Sequence, residues 1–344
     1  MHWRRRSDGD GGGAALTRPR AILGGLGLTL AACALAAYRI APETEPAPLA
    51  ITARAVALDP NDPTRDRVGR LRYLGGLDLR ATDRHFGGLS GMRFLPSGQL
   101  LAIGDEGSWF TFALREEDEQ LVGIAHALLA RMPDLTGRPL RARVEADAEA
   151  LELGPDGERV VGFQRHHRIW TYDPDDGRPR PRAFPDPTWL ERLPSGGGIS
   201  SIARVGALWL FLAEDPGTGA WNGILQGGGA LSTSYGRVTY RPAPGFAPTD
   251  AAALDATHVL LLERLYSRTN GVAARIVRVS VEASHLALGR ADALATIEWP
   301  LSVDNMKAIA VRRVKGRTFI YVASGDNFSP LQRTLLLKFE LMGQ

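Results

Sequence analysis

Cysteine occurs once in the 344 residues, at Cys33. Beyond that point the chain has no disulfide, no thiolate metal site and no cysteine nucleophile. Lysine is almost missing too. Lys307, Lys315 and Lys338 are the only ones, so arginine carries nearly all the positive charge. A surplus of either sign is also absent from the body. The formal net charge is +3, but residues 1–40 hold Arg4, Arg5, Arg6, Arg18, Arg20 and Arg39 against Asp8 and Asp10. That segment is +4, which leaves −1 for the rest. A nucleic-acid binder keeps its basic patch on the folded body, so that class is excluded. No P-loop, dinucleotide glycine motif or zinc signature is present. His85, His126, His258 and His285 are scattered without metal-ligand spacing.

What is there is ordinary globular composition, 44% hydrophobic and 23% charged, not that of a disordered chain. It reads as a signal or anchor segment (1–40), a linker (41–69) and one domain (70–344). Residues 21–37 form a 17-residue uncharged run behind a basic, glycine-rich stretch. As a helix the run spans about 25 Å, close to a bilayer core of about 30 Å. A basic start, an apolar middle and small residues at its end make an export signal. Three outcomes stay open. Leu30-Ala31-Ala32-Cys33 resembles a bacterial lipobox with lipid on Cys33, the run stays as an uncleaved membrane anchor, or cleavage after Ala34-Leu35-Ala36 releases the protein. The first two place the domain on the periplasmic side of the cell envelope, and the third makes it a secreted protein.

A motif then returns five times. A small or acidic cluster opens a short apolar strand, a polar turn follows, and a second apolar strand ends in charge. With Ser90, Glu149, Ser200, Ala252 and Lys307 as markers, the steps are 59, 51, 52 and 55 residues. Periods near 50 with short strands predict propeller blades. The expected fold is all-β, a β-propeller of five four-stranded blades, or six if residues 115–143 form one of their own. Residues 70–80 make a leading strand whose pairing with residues 331–341 would close the ring and hide two sheet edges. Trp189, Trp209, Trp221 and Trp299 are expected between blades.

In each hairpin the first strand starts where the second ends. Opening clusters and terminal charges therefore gather on one rim around a central channel. The predicted rim set is Asp105, Glu106, Asp147, Glu149, Glu214, Asp215, Asp250, Glu263, Asp304 and Asp326, with Arg165 and Arg264 as basic companions. Ser90 fails as a nucleophile elbow, because Met92 stands where the last glycine belongs and the context is all β. His166-His167 reads as a turn packing on Trp170, with general-acid work as the alternative.

Four stretches carry a family likeness over roughly residues 71–341. They are Phe86-Gly87-Gly88-Leu89-Ser90-Gly91, Arg165-His166-His167-Arg168-Ile169-Trp170, Leu262-Glu263-Arg264 and Gly325-Asp326-Asn327-Phe328-Ser329-Pro330 with Leu331-Gln332-Arg333-Thr334. In this order the chain resembles the esterase-like phytase family, bacterial envelope-associated proteins distantly grouped with β-propeller phytases. The resemblance implies a propeller, acidic site residues and hydrolysis of phosphate or other esters with calcium. It also implies glutamate where this chain has Gln164, Ser200 and Lys307. Lys307 either replaces a cation with its own ammonium or marks a site that no longer binds metal.

A phosphoester hydrolase must neutralise an anionic substrate and activate water, and calcium held by 6–8 oxygens does both. Asp147, Glu149, Asp304, Asn305, Asp326 and Asn327 are the expected calcium ligands. Glu149, Glu263, Arg264 and Arg165 are the candidate catalytic residues, with the arginines gripping phosphate oxygens through paired hydrogen bonds. Two functions stay open. One is an envelope-tethered, divalent-metal-dependent hydrolase of a small anionic ester. The other is a non-catalytic propeller that binds a ligand or protein partner on the rim.

Overall fold

The computed structural model describes residues 43–141, 143–215, 220–227, 234–267 and 271–343. The export segment with Cys33 and the side chains of Glu214 and Asp215 lie outside the described residues. From Glu43 onward the chain forms one compact unit of five antiparallel sheets. Blade 1 runs outward from β5 (Leu89–Phe94) through β6 (Leu100–Gly104) and β7 (Ser108–Glu117) to β8 (Gln120–Arg131). Blade 2 contains β9 (Ala148–Leu153), β10 (Arg159–Phe163), β11 (Arg168–Tyr172) and β12 (Pro179–Pro181). Blade 3 contains β13 (Ile199–Val205), β14 (Leu208–Asp215), β15 (Ala220–Gln226) and β16 (Tyr235–Tyr240). Blade 4 contains β17 (Phe246–Ala253), β18 (His258–Ser267), β19 (Gly271–Glu282) and β20 (Ala287–Glu298).

Blade 5 is closed from the front of the chain. Its inner strands β21 (Met306–Val314), β22 (Arg317–Ser324) and β23 (Thr334–Leu341) pair onward to β4 (Leu71–Ala81), in the register Leu336↔Leu77. The first long strand of the domain thus completes the last blade, as expected. Residues 41–69 are corrected from linker to sheet. Within them β2 (Ile51–Val56) and β3 (Arg67–Val68) pair with β4, and β1 (Ala47–Pro48) pairs with β8. The prolines that suggest a linker are compatible with edge strands, where a missing N–H breaks no ladder. The ring therefore has five blades, not six, and residues 115–143 carry most of the outer hairpin of blade 1.

The sequence forms these strands because both faces find apolar partners. On β14, Trp209, Phe211 and Ala213 face blade 2, while Leu208, Leu210 and Leu212 face blade 4. On β18, Val259 and Leu261 face blade 3, and Leu260 and Leu262 face blade 5. Alternation without a polar face is what a strand buried on both sides requires. Each such leucine contributes about 2 kcal/mol by burial. Trp209 and Trp221 lie in these seams and Trp189 stacks on Phe184, but Trp299 is corrected: it is 82% exposed. Among the described residues no helix is long and apolar enough to cross a membrane.

Candidate functional site

Strands β5, β9, β13, β17 and β21 stand side by side around the axis and all start at the same end, here called the mouth. Each has a β-bulge near that start. Register skips one residue between Leu89/Gly91, Ala148/Ala150, Ile199/Ser201, Pro248/Asp250 and Met306/Ala308. The skipped residues are Ser90, Glu149, Ser200, Thr249 and Lys307. Four of the five sequence markers are thus bulge residues, and the fourth marker is corrected from Ala252 to Thr249. An extra residue bends the strand and re-aims its side chain. Repeated five times, this sets a ring at the channel mouth.

Three members of the ring lock neighbouring blades. Ser90 Oγ donates to the Ala148 carbonyl at 2.6 Å, Ser200 Oγ to Pro248 at 3.3 Å and Thr249 Oγ1 to Met306 at 3.2 Å. Ser90 is 1% exposed, so it is a seam hydroxyl and not a nucleophile. The other two behave differently. Lys307 Nζ of blade 5 reaches Glu149 of blade 2 at 3.1 Å, and their side chains keep 19% and 11% of their surface open. Blade 1 stands between those blades, so this ion pair crosses the mouth.

Below the ring the channel is filled. Arg93 on β5 donates to the Asp250 carboxylate with both terminal nitrogens, at 3.2 Å each, and to Glu152 at 3.1 Å. It also donates to the carbonyls of Met92, Ile202, Ala251 and Ile309, so one guanidinium bonds to all five blades. Burial pushes Asp250 up to about 6, against the pull of Arg93 and of the Ile309 and Ala251 amides. The sequence reading missed Arg93 and put Asp250 on the rim. A signal was present: Arg93 is the one charge in an innermost strand otherwise made of small or apolar residues, where a buried charge demands a partner.

The remaining predicted residues reach the mouth end but serve the seams. Arg165 pairs with Asp147 at 2.6 Å within blade 2. Glu263 is level with the bulge ring but one strand further out. It is fully buried, bonded to Tyr240 of blade 3 at 2.5 Å and to Arg275 at 2.8 Å. Burial holds it above the ordinary carboxylate range, opposed by those two partners. Arg264 donates to Asn305, whose amide nitrogen donates to the Gly325 carbonyl at 2.7 Å. Asp304 accepts from the amides of Asn305 at 2.8 Å and Arg333 at 3.1 Å. Asp326 accepts from the Gly88 amide at 2.8 Å and from Thr334, joining blade 5 to blade 1. Asn327 donates to Gln332 at 2.8 Å. Gln164 donates to the Gly196 carbonyl at 3.0 Å, and His167 lies 3.0 Å from the Pro194 carbonyl.

Calcium needs an undivided set of oxygens. Here Glu149 faces an ammonium, Asp147 a guanidinium, and Asp304 and Asp326 backbone amides. Among the described residues no three His, Cys, Asp or Glu side chains converge on one point. The six expected ligands, as arranged, do not fit that ion. Lys307 puts a positive charge at the mouth, against Glu149.

A family model described as "Phytase-like: Esterase-like activity of phytase" matches residues 84–328. No curated protein matches the chain. Similar solved structures include the PQQ-bound aldose sugar dehydrogenase from Streptomyces coelicolor, 12% identical with a TM-score of 0.41, covering 87% of this chain and 100% of that one. Another is virginiamycin B lyase from Staphylococcus aureus, 9% identical with a TM-score of 0.40, covering 85% of this chain and 100% of that one. The family match takes in every blade and most of the chain, and the protein belongs to the phytase-like family.

Proposed function

We propose that the protein is an ester hydrolase working at the channel mouth on a small anionic ester, a phosphoester or a carboxylic ester bearing a charged group. The observation that carries this reading is the Lys307–Glu149 pair, 3.1 Å apart on the bulge ring at the channel mouth. The substrate's anionic oxygen displaces the carboxylate from the ammonium. Glu149, released from its cation, is free to accept a proton. It takes a proton from the water that attacks the ester and returns it to the departing alkoxide. Lys307 holds the charge that builds on the attacked group. Arg165, exposed at the rim, adds a second cation. The cell envelope, through the N-terminal segment or a lipid on Cys33, is the proposed location.

A second reading is binding without turnover. It is favoured by Gln164 and Ser200, two rim positions whose side chains are spent on the carbonyls of Gly196 and Pro248. Chromogenic phosphomonoesters, phosphodiesters and carboxylesters, each assayed with calcium and with a chelator, separate the two. Turnover that survives the chelator and is lost in Glu149→Gln and Lys307→Met supports the hydrolase. Turnover that requires calcium overturns the ammonium in that role. No turnover, with a ligand that raises the melting temperature, establishes the binding module.

A further inference from the structure

We infer that the mouth end of the propeller docks on an anionic lipid bilayer. The large apolar side chains left in solvent are not spread over the molecule. Leu331 is 92% exposed, Trp299 82%, Tyr266 58% and Leu135 54%. Chain direction puts all four at one end. The innermost strands leave the mouth, second strands return, third strands leave and fourth strands return. Leu331 follows β22, a second strand, and Tyr266 ends β18, another. Trp299 follows β20 and Leu135 follows β8, both fourth strands. At the opposite end, Val122 and Tyr235 reach only 39% and 37%. Apolar tips concentrated on one end mark an interaction surface. Tryptophan and tyrosine are the side chains that settle at a membrane interface.

Charge at the same end suits phosphate headgroups. A cavity of about 270 Å³ is lined by Glu43, Arg84, His85, Glu106, Arg131 and Arg141. Three arginines against two glutamates leave it one positive charge in excess. Arg131 is buried and tied only to neutral groups, Ser108 Oγ at 3.1 Å and the Leu140 carbonyl. None of the three arginines forms an ion pair with a described residue. Burial and the neighbouring Arg84 and Arg141 charges lower the basicity of Arg131, while Glu106 and Glu43 oppose the change. A phosphate oxygen would give the buried guanidinium a charged partner, and anionic lipids attract such clusters.

Chain length chooses the occupant. The domain begins at Glu43, whose carbonyl accepts from the Arg131 amide at the mouth end of β8. Only residues 38–42 separate it from the apolar run of residues 21–37. Five residues span at most about 20 Å. The inference rests on that run entering the membrane. Once it does, the tether leaves the propeller from Glu43, at the mouth end of β8.

Full-length protein in vesicles of phosphatidylcholine with a minority of phosphatidylglycerol, with and without brominated acyl chains, tests this. The Trp299 signal is the emission difference between wild type and Trp299→Phe, whose far-UV spectrum and melting temperature should match wild type. Brominated lipid is expected to remove most of that difference. If the chain partitions into vesicles but Trp299 stays unquenched and open to aqueous iodide, the face points to water and the inference is overturned. Shielding from both iodide and lipid shows a second copy on the face, which also overturns it. Failure to partition at all removes the anchor and the docking together. None of these outcomes depends on turnover at the mouth.

Discussion

Residues of one type take opposite roles here according to depth. Glu149 and Lys307 meet at the channel mouth, largely covered, with 11% and 19% of their side-chain surface open. Glu149→Gln and Lys307→Met are expected to abolish hydrolysis, with a far-UV circular dichroism spectrum matching wild type beside the assay to show that the fold is kept. Arg93, Asp250 and Glu152 make a similar pairing deeper in the channel. There, removing one partner strands the others without water. Arg93→Ala is expected to cost about 3–5 kcal/mol, measured by urea unfolding; a loss under about 1 kcal/mol would show that the plug does not hold the ring. Gly88 belongs to the same scale. Its φ of +56° is left-handed, and a Cβ there would stand 2.2 Å from Asp105 Oδ1, so the glycine pair in the first family motif answers to backbone geometry.

At the scale of elements, a bulge in the same place on five strands turns a repeat into a ring of side chains. Hydrophobic period and turn residues were enough to place most of the central hairpins, because both are local. The bulge offset at Thr249 was not legible, since a skipped register depends on the partner strand. Edge strands were illegible for a similar reason. Strand β2 is half exposed, and its only ladder is to β4. Tyr73 Oη donates to the Val56 carbonyl at 2.5 Å across that ladder, and its ring keeps Phe339 as a neighbour. Burial raises the Tyr73 hydroxyl above its ordinary range. Tyr73→Phe keeps the ring contact and loses the bond, for an expected cost of about 1 kcal/mol. Hydrogen exchange should localise the loosening to residues 51–56.

Over the whole molecule, closure joins the two ends of the domain. Glu340 on β23 accepts from Arg72 on β4 and from Arg317 on β22. The hydrogen bond from Arg317, helped by Arg72, holds its carboxyl below the ordinary value of 4.5 against the opposing effect of burial. A lowered folded value means that this stabilisation is complete above the unfolded value and is lost as pH falls through the folded one. The gap in melting temperature between wild type and Glu340→Gln should therefore be constant near neutral pH and shrink once pH drops below about 4.5. A gap that widens in acid would reverse the assignment.

Sequence alone determined the blade repeat, the closing strand, the family and the end of the ring at which charged residues collect. All of these follow from period, turn chemistry and the direction of a hairpin, which are properties of neighbouring residues. Tertiary structure decided which charges are spent. Only the packed ring shows that Arg93 seals the channel, that Glu263 is buried in a seam, and that Lys307 of the last blade meets Glu149 of the second. A carboxylate's chemistry depends on the cation and the water within a few ångströms. Those neighbours lie up to 268 positions away in the chain, where no local pattern reaches.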